Sequence, residues 1–207
     1  MILHASPRTV LGTRRSKPNG FTLLEVLVSI VILSFGVLGV VGLQAASLQA
    51  NREARYQAAA VRLGRELAEM MRGNKTVAVQ TGTAANPYLL PDTSLPVGTA
   101  ITASPENCFS APCTSGINVA KFEMAEWQQR VRDELPNARV AVCFDQTPYN
   151  GTTGRPQWTC TAGTSGVIVL KLGWTQRTTD RRDTGLAALD QATTPTVVLP
   201  LTAGSTE

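Results

Sequence analysis

The chain has 207 residues, 43% hydrophobic and 16% charged, a balance that excludes both a disordered chain and a uniformly membrane-embedded one. Its net charge of +4 traces to Arg8, Arg14, Arg15 and Lys17, because from Phe21 onward 15 cations face 15 acids; this is no nucleic-acid footprint, and none is expected as a primary partner. The only histidine, His4, lies in the same leading stretch, so the rest of the chain lacks the commonest general base and the commonest zinc ligand.

In chain order, the first element is an apolar run. Val26–Asn51 contains no charge, and Val26–Leu43 is 18 residues, nearly all apolar or small, enough to suggest a bilayer span. Arg14, Arg15 and Lys17 precede it and place the N-terminus in the cytoplasm. Three readings compete. A secretory signal peptide cut near Ala45-Ala46-Ser47 is opposed by the length of the run and by Glu25 at its start. A plain signal anchor leaves Gly20 and Glu25 without a reason.

The third reading rests on Gly20-Phe21-Thr22-Leu23-Leu24-Glu25-Val26. This run resembles the prepilin peptidase site of type IV pilins and type II secretion pseudopilins, and the likeness extends from residue 14 to about residue 45. The resemblance implies cleavage after Gly20 by prepilin peptidase, methylation of the new N-terminal Phe21, and an assembly role for Glu25. A carboxylate at the centre of a membrane helix costs roughly 2.5–3.5 kcal/mol, less near an interface. Glu25 either reaches headgroup water or pairs with the Phe21 ammonium of a neighbouring subunit, an amine that opposes its own helix dipole. Gly36, Gly39 and Gly42 weaken the helix or let it pack closely. The proline that pilins often carry near here is missing.

The helical pattern continues to Arg72. Residues 44–72 hold no proline and one glycine, Gly64, and Ala60, Leu63, Leu67 and Met70 or Met71 form an apolar stripe. Gly73-Asn74 is a stop signal. The domain reading is therefore a leader over 1–20, a membrane or filament-core helix over 21–48, and a periplasmic head over 49–207.

Residues 75–117 read as an irregular connection with one short strand. Met124, Trp127, Val131 and Leu135 predict a second, short helix that Pro136 stops, with Trp127 as a core anchor. Strands follow at Arg139–Phe144, Gln157–Thr161, Val167–Thr175 and Thr196–Leu201, the last an edge strand carrying Pro200. One long helix against a small antiparallel sheet is an α+β fold, and the resemblance implies the same pilin head.

Cys108, Cys113, Cys143 and Cys160 allow three pairings. Cys108–Cys113 as a local loop and Cys143–Cys160 as a hairpin staple are favoured. The second closes a loop of about 18 residues, worth roughly 3 kcal/mol. A four-thiolate zinc site is the alternative, opposed by the lack of CxxC spacing and by an oxidising compartment. No nucleophile, metalloprotease, phosphate-loop or dinucleotide motif is present. Asp133-Glu134 and Glu123/Glu126 read as a solvated helix face, and Arg177, Arg181 and Arg182 are offset by Asp180 and Asp183. No catalytic residue, cofactor or metal is expected.

Leu63-Gly-Arg-Glu-Leu-Ala-Glu-Met-Met-Arg-Gly-Asn74 resembles the helix end of PilV-type minor pilins, and Ala125-Glu-Trp-Gln-Gln with Leu135-Pro136-Asn137 also fits that family. The resemblance implies a non-enzymatic inner-membrane subunit that helps prime pilus assembly, supporting twitching motility and adhesion. Its implied partners are other minor and major pilins and the assembly platform in the inner membrane. A minor pseudopilin of type II secretion and a signal-anchored periplasmic binding module are the competing readings.

Overall fold

The computed structural model describes residues 20–161, 166–177 and 189–204. They fall into two compact units divided between Leu48 and Gln49. Helix α1, Leu23–Gly73, contributes to both.

In the first unit every side chain from Phe21 to Leu48 is exposed. Ser29 and Ser34 are the hydroxyls inside the apolar run, and each folds back on its own helix. Ser29 Oγ donates to the Glu25 carbonyl and Ser34 Oγ to the Ile30 carbonyl, both at 2.7 Å. Their hydrogen-bonding needs are thus met without water.

In the second unit α1 gains a buried stripe: Ala60, Leu63, Gly64, Leu67, Ala68 and Met71. The three- and four-residue spacing keeps these on one side of the helix. Gly64 marks its closest approach to the sheet, since a Cβ there would lie 2.5 Å from Leu199 Cδ1 and 3.0 Å from Leu170 Cδ2. After α1 come α2 (Lys75–Ala78), β1 (Leu90–Leu95), α3 (Gly116–Glu134), β2 (Ala138–Asp145), β3 (Val167–Gly173), β4 (Thr175–Arg177), β5 (Leu189–Gln191) and β6 (Val197–Leu201). The main sheet is antiparallel in the order β1-β2-β3-β6, and β4 and β5 form a separate pair. The α+β layout, a long N-terminal apolar helix with a small antiparallel sheet, is that of a pilin fold.

Helix α3 starts eight residues before Met124, where the apolar stripe becomes visible in the sequence. Ser115 caps it, its Oγ accepting from the Asn118 N–H at 3.3 Å, and this cap carries a first turn that lacks a strong stripe. Ala120, Met124, Trp127 and Val131 are buried. Trp127 is fully buried, and its indole N–H donates to the Leu63 carbonyl at 2.9 Å, joining α3 to α1. Ion pairs Arg62–Glu134 and Arg130–Glu66 span the same two helices.

The two outer strands each contain a proline, Pro91 in β1 and Pro200 in β6. The β1–β2 register also shifts between Leu90 and Thr93.

The expected return strand at Gln157–Thr161 does not form. In that region only an isolated bridge, Tyr149 to Pro156, is made. The Cys143–Cys160 bond therefore ties β2 to a loop rather than stapling a hairpin. Packing explains the departure. Trp158 turns inward to cluster with Ala141 and Ala192, and its indole N–H donates to the Ala192 carbonyl at 2.9 Å. Arg139 stacks 4.4 Å above the Trp158 ring while gripping Asp92 through two hydrogen bonds, at 2.8 and 2.6 Å. Residues 146–161 thus cover the second face of the sheet, and β3 is buried from Ile168 to Gly173.

Replacing Trp127 tests the α1–α3 joint. Trp127→Ala should cost about 3–5 kcal/mol by loss of buried volume. Trp127→Phe should cost about 1–3 kcal/mol, because the ring stays but a buried polar contact goes. Urea unfolding of the full chain in detergent, followed by circular dichroism, measures both.

Candidate functional site

The N-terminal motif begins at Gly20, exposed and just ahead of α1. Phe21 follows with 81% of its surface open. Thr22 caps the helix: its Oγ1 accepts from the Glu25 N–H at 3.2 Å, and its carbonyl accepts from Glu25 and Val26 at 3.1 and 3.3 Å. Thr-x-x-Glu is capping-box spacing, and an acid in the first turn complements the helix dipole. The motif spacing therefore carries a second message that the sequence reading missed, namely that Glu25 also fits the start of its own helix. Phe21, Glu25, Ser29 and Ile30 border one open concavity on the helix surface. The apolar side chains beyond it, from Val26 to Leu43, have no protein partner in the described residues. A helix this long and apolar can cross a membrane.

The four cysteines form two bonds, Cys108–Cys113 and Cys143–Cys160. These are the pairs that the spacing favours. Beside the second lies a polar cluster that the sequence reading overlooked. Lys171 Nζ meets Asp145 Oδ2 at 2.6 Å, and both side chains are completely buried. Lys171 also donates to the Thr159 and Trp158 carbonyls at 2.9 and 3.4 Å. Asp145 Oδ1 accepts from Thr161 Oγ1 at 2.6 Å, from the Thr147 N–H at 2.9 Å and from the Thr161 N–H at 3.2 Å. Burial pushes the Asp145 carboxyl up, but hydrogen bonds from Lys171, Thr161 and Thr147 outweigh it, and its pKa lies below the ordinary carboxylate value. The available signal was Lys171 itself, a lone cation amid Val167, Ile168, Val169, Leu170 and Leu172.

Cys143, Asp145 and Cys160 bring donor atoms within 4.8 Å of one another, as a metal site would. The two sulfurs are already bonded to each other and Lys171 neutralises the carboxylate, so this grouping does not fit a cation.

Other acids have structural partners. Glu123, expected on a solvated face, is half-buried and bonds the Tyr88 hydroxyl, which also reaches the Met70 carbonyl at 3.3 Å. Burial raises the Glu123 pKa against the Tyr88 hydrogen bond, while burial and that same bond raise the tyrosine's. Glu134 pairs with Arg62, and Asp133 with Arg132 at 2.9 Å. Arg177 ends β4; Asp180, Arg181, Arg182 and Asp183 lie outside the described residues.

Breaking the buried pair on one side only should be severe. Lys171→Met should cost about 3–5 kcal/mol, and Lys171→Met/Asp145→Leu should recover most of that loss. The depressed Asp145 pKa sets the pH response. Its stabilisation is full above the unfolded value of about 3.9 and is lost as pH falls through the lower folded value. The stability gap between wild type and the double variant should therefore narrow below about pH 4. Urea midpoints between neutral and acid pH report it.

Among known protein families, the prokaryotic N-terminal methylation motif matches residues 15–41. No similar curated protein and no similar solved structure was found. The matched residues cover the glycine, the phenylalanine, the glutamate and most of the apolar run. With the bare helix that follows, they give the chain a type IV prepilin-like N-terminus bearing the methylation motif.

Proposed function

We propose that the chain is a minor pilin of a type IV pilus, a structural subunit that helps prime pilus assembly and so supports twitching motility and adhesion. One observation carries this reading: the methylation motif leads directly into a helix whose apolar side chains are bare on every side. Motifs of this kind mark structural, pilin-like subunits rather than enzymes. A helix of that character needs lipid before assembly and other helices afterwards.

In this reading prepilin peptidase removes residues 1–20 after Gly20, and Phe21 becomes the methylated N-terminus. Residues 21–48 hold the subunit in the inner membrane, with the head, 49–207, in the periplasm. The Glu25 carboxylate then meets the Phe21 ammonium of a neighbouring minor or major pilin, with the assembly platform bringing the subunits together. PilV-type subunits are the specific likeness, resting on the Leu63–Asn74 helix end. The two disulfides suit the oxidising compartment in which this topology puts the head.

Mass spectrometry of the protein from cells with prepilin peptidase should find N-methyl-Phe21 as the first residue. An intact leader, or a start near Ala46, would overturn the reading in favour of an anchored periplasmic module. Co-purification with pilus rather than secretion subunits separates the minor pilin from a pseudopilin.

Glu25→Ala and Glu25→Gln should both be cleaved normally and both be lost from filaments. The glutamine variant is the sharper one, because it keeps the capping-box geometry and removes only the charge. Filament incorporation of Glu25→Gln at the wild-type level would rule out the assembly contact, because the charge would then be dispensable.

A further inference from the structure

We propose that residues 146–161 are a latched strap, held over the second sheet face by the Cys143–Cys160 bond and released when that bond is reduced.

The strap and the buried ion pair complete each other. Lys171 donates to two strap carbonyls, those of Trp158 and Thr159. Asp145 receives three hydrogen bonds from Thr147 and Thr161, at the two ends of the strap. Lifting the strap removes the Lys171 and Thr161 contacts together and leaves the local turn bond from Thr147. Water would then solvate both charges, and a buried pair gains little over its hydrated groups. The polar contacts therefore fix where the strap closes without strongly favouring closure.

The apolar weight of the strap is concentrated in one indole, Trp158, against Ala141, Ala192 and the Cβ-less surface of Gly173. Any side chain at Gly173 would meet Trp158 Cζ2 and Ala192 Cβ at 2.9 Å, so this seat is shaped to the ring. Arg139 over the ring loses that contact on opening but keeps its grip on Asp92. Beyond that seat, the indole N–H bond to the Ala192 carbonyl and the two Lys171 bonds, the strap is held by the covalent bond, 17 residues across. Both of its cysteines are only partly buried, so a dithiol can reach them. One reductant thiolate attacks a sulfur and frees the other as a thiolate. The second reductant thiol closes the reductant's own disulfide, leaving two cysteine thiols. The subunit then exposes Lys171, Asp145 and the β2–β3 face, while the core between the sheet and the helices stays packed. Thiol oxidation is thus the step that closes this face.

The test uses the full chain in detergent micelles, with Cys108→Ala/Cys113→Ala so that one disulfide remains. Amine acylation read by peptide mass spectrometry compares Lys171 with Lys121, which is exposed. Oxidised protein should leave Lys171 unlabelled. Dithiothreitol should raise its labelling about tenfold or more relative to Lys121, as for a locally opened segment, with amide exchange at Trp127 and Leu170 unchanged. Cys143→Ser/Cys160→Ser should label at Lys171 without reductant. Continued protection of Lys171 after reduction, or in the serine variant, overturns the proposal. So does loss of protection at Trp127 and Leu170 alongside Lys171, because the bond would then brace the whole head rather than latch one face.

Discussion

Contact between the α1 stripe and the rest of the second unit is the interaction on which the head depends. Ala60, Leu63, Gly64, Leu67 and Met71 give α1 its single buried side. Trp127 fastens α3 to this stripe through the Leu63 carbonyl. Leu170 and Leu199 bring β3 and β6 against it where Gly64 leaves room. A bulkier residue at Gly64 would have to displace both leucines, and one less apolar at Leu63 or Leu67 would open the joint between helix and sheet. Before Ala60 the same helix has no buried residue. That contrast divides a part that folds in water from a part that needs another solvent.

The polar chemistry follows the same division. In the head, several charged groups are taken up in packing. Arg62, Glu66, Arg130 and Glu134 tie two helices together, Glu123 meets Tyr88, and Asp145 meets Lys171. These acids and bases each have a structural partner. At the N-terminus the reverse holds: Phe21 and Glu25 are exposed and carry the methylation motif.

Much of this was legible in the sequence because local rules govern it. The Gly73-Asn74 stop, the α1 stripe, the edge strand with Pro200 and the strand expected over Val167–Thr175, which ends at Gly173, each depend on near neighbours. What could not be read depends on distant partners. Ser115 caps α3 ahead of any visible periodicity. Trp158 and Thr161 suit a strand by propensity, but Ala141 and Ala192 draw the indole inward and the Cys143 link holds the segment as a loop. Lys171 was visible as an anomaly, but its partner lies at the far end of the neighbouring strand, and only the pairing of β2 with β3 brings the two together. The Thr22 cap on the Glu25 N–H shows the opposite failure, a local rule overlooked because the same residues matched a more distinctive motif.

The prolines on the two outer strands have a consequence for self-association. A sheet with open edges recruits strands from other copies, and a chain held at high local density would be prone to this. Pro91 on one edge, with its register shift, and Pro200 on the other each remove a backbone donor and disturb the template. The head is thereby steered away from amyloid-like stacking. A subunit that assembles through its bare helices, as proposed above, would then do so without a competing route through its sheet.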